Sequence, residues 1–399
     1  MGVDFDWVIL GILAAFIAYS LLTKAVDRSL LTLPIIFMGV GYLVSDPLRA
    51  AAPPEILSEG KRLLAEFTLV LVLFADASHV RFSQLKQNWQ LPGRMLLIGL
   101  PLSLIFGTLA VYLISPEGGI AMALLTAALL SPTDAALGQA VVSSPDVPER
   151  LSETINVESG LNDGLVLPVV LLGAILASAG VSDANTDGLA IAALIQIVLG
   201  PLAGIAVGWS VARLLDLAQT RQLIAESAEG VVFVATAFAA YVFAEVIGGN
   251  GFIAAFVGGM VFGNTYRHHI RFIREFMDGA GQLLTMTSFL VFGALLLPDG
   301  IEHATASAVV IAVLFLTVVR MAAIWLSLLG TGLKIKEKLF LGWFGPRGLA
   351  SILFTLIIMD EYVFANADEL LACVSMTVAF SILAHGLSST PLARRIGKT

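Results

Sequence analysis

The sequence predicts an all-α polytopic membrane protein, and three observations carry that prediction. Of its 399 residues 58% are hydrophobic and only 13% charged, with a mean hydropathy of +0.91, where soluble domains hold about 45–50% apolar and about 25% charged residues. The apolar residues gather in runs near the roughly 20 residues that a helix needs to cross a bilayer. The 37 glycines and 15 prolines fit the same class, because both are more frequent in membrane helices than in soluble ones.

Charge and cysteine content exclude several classes. The formal charge is −8 and the basic residues are dispersed among loops, so nothing points to nucleic acid. Cys373 is the only cysteine and lies in an apolar run; no disulfide is available and core packing is its expected role. Asp4 and Asp6 precede the first run, where a cleavable leader would carry basic residues, so that run is expected to be a retained helix. Met1-Gly2 lacks the Ser or Thr at position 6 that lipidation of a terminal glycine favours.

Taken in order, thirteen segments are expected, at 7–23, 30–46, 63–79, 91–115, 118–142, 150–178, 188–215, 226–246, 249–264, 271–297, 303–329, 335–359 and 366–392. The distribution of Lys and Arg tests that register. Loops after odd-numbered segments carry Lys24, Arg28, Arg81, Lys86, Arg94, Arg150, Arg213, Arg221, Arg267, Arg271, Arg274, Lys334, Lys336 and Lys338, and the tail adds Arg394, Arg395 and Lys398. The opposite side holds Arg49, Lys61 and Arg62, with acids such as Asp183, Asp187, Asp360, Glu361, Asp368 and Glu369. The bias places the N-terminus outside and the C-terminus in the cytoplasm. Loops and tail are too short for a soluble catalytic module, a nucleotide loop or a large regulatory domain, and the short tail suggests a prokaryotic host.

Two segments are interrupted. The fifth contains Ser131-Pro132-Thr133-Asp134 and the twelfth Gly345-Pro346-Arg347-Gly348. Proline removes a backbone donor and clashes with the preceding turn, so each helix is expected to unwind there. Irregular backbone at membrane depth is tolerated only where protein or a water cavity surrounds it. Two broken segments in corresponding positions suggest inverted halves around a midplane site, as in secondary transporters.

The chemistry concentrates at Glu158-Ser159-Gly160-Leu161-Asn162-Asp163. A charge at the bilayer centre costs at least about 2.5–3.5 kcal/mol, and such a residue is functional by default. Residues four apart stack on one helix face, so Glu158 lies over Asn162 and Ser159 over Asp163, in adjacent columns about 100° apart. Thr133 and Asp134 add a hydroxyl, a carboxylate and freed carbonyl oxygens. This oxygen-rich set, without a Cys or His cluster, suits a hard monovalent cation such as Na⁺ or Li⁺ and argues against zinc or copper. Desolvation penalises a bare carboxylate, so proton and cation compete for one anionic site, and competition couples their flows. Arg347 is the expected counter-charge for Glu158, since an unpartnered buried guanidinium is prohibitively costly.

These three motifs, in this order and at these spacings, resemble the NhaP-like branch of the monovalent cation:proton antiporter-1 family. The resemblance extends over the whole chain in segment count and orientation. It implies a fold of two inverted repeats with crossed discontinuous helices, and a homodimer. Dimerisation helices would lie at 7–79 and 226–297, an ion-translocating core at 91–178 and 303–392, and a linker helix at 188–215. It also implies that Thr133, Asp134, Ser159 and Asp163 ligate the ion, that Glu158 and Arg347 form a structural ion pair, and that Asn162 helps to hold the site. Electrogenic relatives carry a second aspartate where this chain has Asn162, so one-for-one electroneutral exchange is implied. The chain departs from many relatives in segment three, where Ala75 follows Phe74 and Asp76 comes one later; Asp76 is a candidate for the ion pathway.

Each assignment has a plainer alternative. Asp163 could hydrogen-bond to the unwound helix, Asp134 could cap the break, and Thr133 and Ser159 could bond back to helix carbonyls. Asp76 either lines the entry funnel or sits in the interface, and Glu66 and Glu245 are ambiguous, with a wet location expected for Glu245. Arg320 is expected to snorkel or to pair within the bundle. Arg267-His268-His269 has the make-up of a pH sensor but equally that of ordinary loop residues, as has His79. The functional expectation is Na⁺ or Li⁺ exchange for H⁺ by alternating access, without enzyme chemistry or cofactor, the partners being the bilayer, a second copy, monovalent cations and protons. Rivals are K⁺/H⁺ exchange, a sodium-coupled organic-anion symporter for which only Arg347 offers charge, and an intramembrane aspartyl protease using Asp134 and Asp163.

Overall fold

Among the described residues every regular element is helical and no strand occurs. The computed structural model describes residues 5–26, 31–82, 89–142, 144–179, 186–268 and 271–397. His269 and the loop charges Arg28, Lys86, Asp183 and Lys398 lie outside them. The helices are α1 (Phe5–Val26), α2 (Leu33–Ala51), α3 (Pro54–His79), α4 (Gln90–Ile114), α5 (Gly119–Leu129), α6 (Ala135–Val142), α7 (Glu149–Ala179) and α8 (Thr186–Thr220). There follow α9 (Glu226–Val246), α10 (Gly251–Thr265), α11 (271–302), α12 (Ala306–Ser327), α13 (Ile335–Trp343), α14 (Leu349–Glu361) and α15 (Ala367–Ile396).

Eight of the described helices are long and apolar enough to cross a membrane unaided: α1, α4, α7, α8, α9, α11, α12 and α15. Length and hydropathy alone therefore do not fix the expected count of thirteen. Sequence chemistry sets several helix ends. Proline occupies the first turn of α2 and α3, where its missing N–H is not needed. Asn250 Oδ1 accepts from Ile253 N at 3.0 Å at the start of α10, and Thr305 Oγ1 accepts from Ala308 N at 3.1 Å at the start of α12, both N-caps of the usual kind.

Three helices contain one π turn each, at Met95–Gly99, Phe292–Leu296 and Phe315–Val319. The first two precede Pro101 and Pro298, which cannot donate to the carbonyl four residues back. In the second, the carbonyl freed by Pro298, that of Ala294, accepts the Ser45 hydroxyl of α2 at 2.7 Å. The third immediately precedes Arg320 and so sets the face on which that side chain emerges.

The most enclosed spanning helices are α7 and α15, whose apolar windows are 67% and 72% buried against 11% for α1. Helix α7 packs on α3, α5, α6 and α10, and α15 on α6, α11, α12 and α14. Between α10 and α3 the backbones nearly touch: a Cβ at Gly259 or Gly263 would overlap the carbonyls of Phe74 or Ser78. That close approach fixes α3, and with it Asp76, against the centre of the bundle.

Candidate functional site

Two interrupted helices meet at the middle of the molecule. Helices α5 and α6 are separated by non-helical backbone at 130–134, and α13 and α14 by 344–348, where the two prolines lead one to expect breaks. The breaks bond to each other. Asp134 N donates to Pro346 O at 2.8 Å, Leu349 N donates to Asp134 Oδ2 at 2.7 Å, and Arg347 Nη1 donates to the carbonyls of Ser131 and Pro132. Freed helix-end groups thus satisfy one another, which the absence of bulk water at that depth demands.

Asp134 is 5% exposed and serves two helix starts at once. Its Oδ1 accepts from Leu137 N of its own helix at 3.2 Å, while Oδ2 caps α14. The carboxylate also sits favourably at two positive helix ends. Gly348 makes this possible, because a Cβ there would overlap Asp134 Oδ2. Capping, the plainer alternative for Asp134, is therefore present in the structure.

Helix α7 presents the remaining polar residues as a single stripe. Asn162 is fully buried; its Oδ1 accepts from Thr133 N at 3.2 Å, and its Nδ2 donates to Thr133 Oγ1 and, at 3.4 Å, to Glu158 Oε1. Thr133 Oγ1 lies 3.1 Å from Ser159 Oγ and 3.3 Å from Glu158 Oε2. Thr133, Ser159, Glu158 and Asn162 form one connected web, so the two columns read from the spacing converge on the α5–α6 break. Asp163 differs. It is 7% exposed, and its Oδ1 is buried without a hydrogen-bond partner. An unsatisfied buried carboxylate oxygen carries a full desolvation cost, and a hydrogen bond from the unwound helix does not satisfy it.

The expected Glu158–Arg347 ion pair is not formed. Glu158 is instead held by Arg320 of α12, Nη1 to Oε1 at 2.6 Å and Nη2 to Oε2 at 3.0 Å, with both side chains almost wholly buried. Arg320 reaches across beneath the α13–α14 break, where Gly345 leaves room: a Cβ there would overlap the guanidinium. Arg347 still acts on Glu158 and Asp163 through space, but its direct partners are backbone carbonyls. Of the two roles expected for Arg320, pairing within the bundle is the one observed.

Asp76 is half-buried and faces α7: its Cβ would lie 4.0 Å from a Cβ at Gly160, next to Ser159. Its charge and those of Asp134 and Glu158 all bear on Asp163. Other charged candidates lie elsewhere. Glu66 pairs with Arg62 at 2.9 Å, and Glu245 accepts from Gly251 N at 2.8 Å in the α9–α10 turn. His268 is exposed, its Nε2 3.5 Å from Thr220 Oγ1, and His79 is exposed at the end of α3. Cys373 is free and buried, as packing requires.

Sequence reasoning missed two residues of α15. Arg347 N donates to Ser381 Oγ at 2.6 Å, and Ser381 Oγ lies 3.1 Å from His385 Nδ1. Both residues are buried, four apart on one face. The available signal was a polar pair at helical spacing in an otherwise apolar span.

Eight described helices apolar enough to span a bilayer, with two interrupted helices bonded to each other in their midst, are the build of an integral membrane protein. Residues 8–395 match the family described as sodium/hydrogen exchanger, transmembrane, and the chain belongs to that family. It is 25% identical over 380 residues to a K(+)/H(+) antiporter NhaP2 of Shewanella oneidensis, covering 94% of this chain and 64% of the relative. It is 28% identical over 411 residues to the Na(+)/H(+) antiporter NhaH of Halobacillus dabanensis, covering 98% and 96%. The chain thus spans less than two thirds of the Shewanella relative. The solved sodium proton antiporter MjNhaP1 from Methanocaldococcus jannaschii superposes over 100% of both chains, with a TM-score of 0.78 at 18% identity, and shares its fold.

Proposed function

We propose that this protein exchanges a monovalent cation, Na⁺ or Li⁺, for H⁺ across the membrane by alternating access, one cation per proton and without a cofactor. The observation that carries this reading is Asp163 Oδ1, buried and unpartnered in a site where neighbouring polar side chains are bonded. A proton or a cation would each satisfy it, and only one can do so at a time. Thr133 and Ser159 would add hydroxyl oxygens, and Asp134 a carboxylate. Asp76, next to Ser159, would lie on the pathway.

In the cycle, Asp163 releases its proton on one side and takes the cation together with Thr133, Asp134 and Ser159. The loaded, neutralised core of 91–178 and 303–392 then moves against the helices of 7–79 and 226–297, which would join two copies in a dimer, linked by 188–215. The ion leaves on the other side and Asp163 returns protonated. Asn162 in place of a second acid supports the one-for-one ratio. The N-terminus would lie outside and the C-terminus in the cytoplasm.

K⁺ as the cation is the second reading, favoured by the relatives named K(+)/H(+) antiporters. One experiment separates the two: purified protein in proteoliposomes with an acid interior and a pH-gradient dye, challenged in turn with Na⁺, Li⁺ and K⁺. Dequenching by Na⁺ and Li⁺ supports the first reading and dequenching by K⁺ alone the second. No response to any of the three would refute antiport.

A further inference from the structure

The α13–α14 break is held from one side by Asp134 and from the other by α15. His385 is 1% exposed and Ser381 fully buried. Ser381 Oγ accepts from Arg347 N at 2.6 Å and lies 3.1 Å from His385 Nδ1, which is also 3.0 Å from the Ser381 carbonyl oxygen. Nε2 lies 2.9 Å from the carbonyl oxygen of Trp343, the last residue of α13, which can only accept, so that contact is made by a ring proton on Nε2. The Trp343 ring packs over the imidazole, centroids 5.1 Å apart, and its Nε1 donates to Ser388 Oγ at 3.0 Å. One histidine–serine pair therefore grips the break at both flanks: at Trp343, where α13 ends, and at Arg347, two residues before α14 begins.

From these contacts we infer that Ser381 and His385 are positioning residues of the cation site, acting through the α13–α14 break on Asp134; the inference rests on the antiport reading above. The same stretch supplies Pro346 O to Asp134 N and Leu349 N to Asp134 Oδ2. A shift of the stretch moves Asp134 and the Arg347 guanidinium that holds the α5–α6 carbonyls. Ser381 and His385 bond to the backbone at Arg347 and Trp343, so their effect on the ion travels through backbone position. A buried hydrogen bond is costly to leave unmade, and that cost keeps the break in one place.

The test pairs transport with amide hydrogen exchange on the full chain in proteoliposomes. His385→Ala and Ser381→Ala are expected to raise the half-saturating Na⁺ concentration about tenfold, the effect of one lost buried hydrogen bond, and by more than they lower the maximal rate. His385→Gln, whose amide can still donate to Trp343 O, is expected to return half-saturation to within about twofold of the parent value. Backbone amides at 344–349 should exchange faster in both alanine variants. Unchanged half-saturation, or a fall in maximal rate alone, overturns the inference, and so does parental exchange at 344–349. If His385→Ala does not fold, Ser381→Ala, which removes one hydroxyl, decides the matter. If the parent protein transports none of the cations, antiport itself fails, and hydrogen exchange at 344–349 still decides whether α15 anchors the break.

Discussion

Arg320 donates to both carboxylate oxygens of Glu158, at 2.6 and 3.0 Å, in the interior of the bundle. This bidentate pair joins α12 to α7 and places Glu158 where it also accepts from Asn162 and Thr133. The ion pair therefore supports the site while Asp163 Oδ1 stays without a hydrogen bond. Removing Arg320 would leave Glu158 buried and uncompensated, at a cost of about 3–5 kcal/mol. Arg320→Ala should express poorly or melt far below the parent in detergent. Arg320→Lys, which keeps the charge but loses the fork, should recover part of the melting temperature. A stable, well-expressed Arg320→Ala would show that the pair is dispensable.

Gly348 is needed for its missing side chain. Alanine there would meet Asp134 Oδ2, and the contact can be relieved only by breaking the Leu349 N bond or moving α14. Overpacking of this kind costs about 1–3 kcal/mol. Because it falls on Asp134, Gly348→Ala should weaken cation binding more than it lowers thermal stability, read as half-saturation against melting temperature.

Asn162 donates to Glu158 and Thr133 while accepting from the Thr133 amide. An aspartate in its place loses the donor and sets a second carboxylate against Glu158. Asn162→Asp is expected to lose about 1–3 kcal/mol of stability, seen as a lower melting temperature. If one charge is exchanged for one, the rate in the parent protein should be insensitive to a membrane potential imposed without a gradient of the transported cation. A strong potential dependence would exclude the one-for-one ratio.

Competition at Asp163 fixes the sign of the pH dependence. Lower pH protonates the carboxylate, and a protonated ligand does not bind the cation. Half-saturating cation concentration should therefore rise as pH falls, approaching about tenfold per pH unit once Asp163 is mostly protonated. Half-saturation that is flat with pH across the active range would argue for separate proton and cation sites.

Much of this arrangement is legible in the sequence because it is local. Pro132 and Pro346 mark the breaks, the four-residue spacing in 158–163 defines the stripe on α7, and the Lys/Arg bias separates the loops. What could not be read is which distant groups meet. Arg320 and Arg347 are both lone arginines in apolar segments, and only the crossing of the broken helices, with Gly345 opening space for one of them, decides which reaches Glu158. The π turn before Arg320 also shifts the face that simple helical counting assigns. The double capping by Asp134 combines a local bond to Leu137 with a long-range bond to Leu349, and only the local one is implied by sequence. Ser381 and His385 escaped notice because a serine and a histidine in an apolar helix carry no motif.

The central claim is that Asp163 alternates between proton and cation, and one substitution tests it most directly. Asp163→Asn keeps the shape, removes the ionisable group and relieves a buried charge, so the variant should fold at least as well as the parent. In proteoliposomes with a pH-gradient dye it should show no cation-driven dequenching with Na⁺, Li⁺ or K⁺ at any pH. Normal dequenching by a well-folded Asp163→Asn would contradict it.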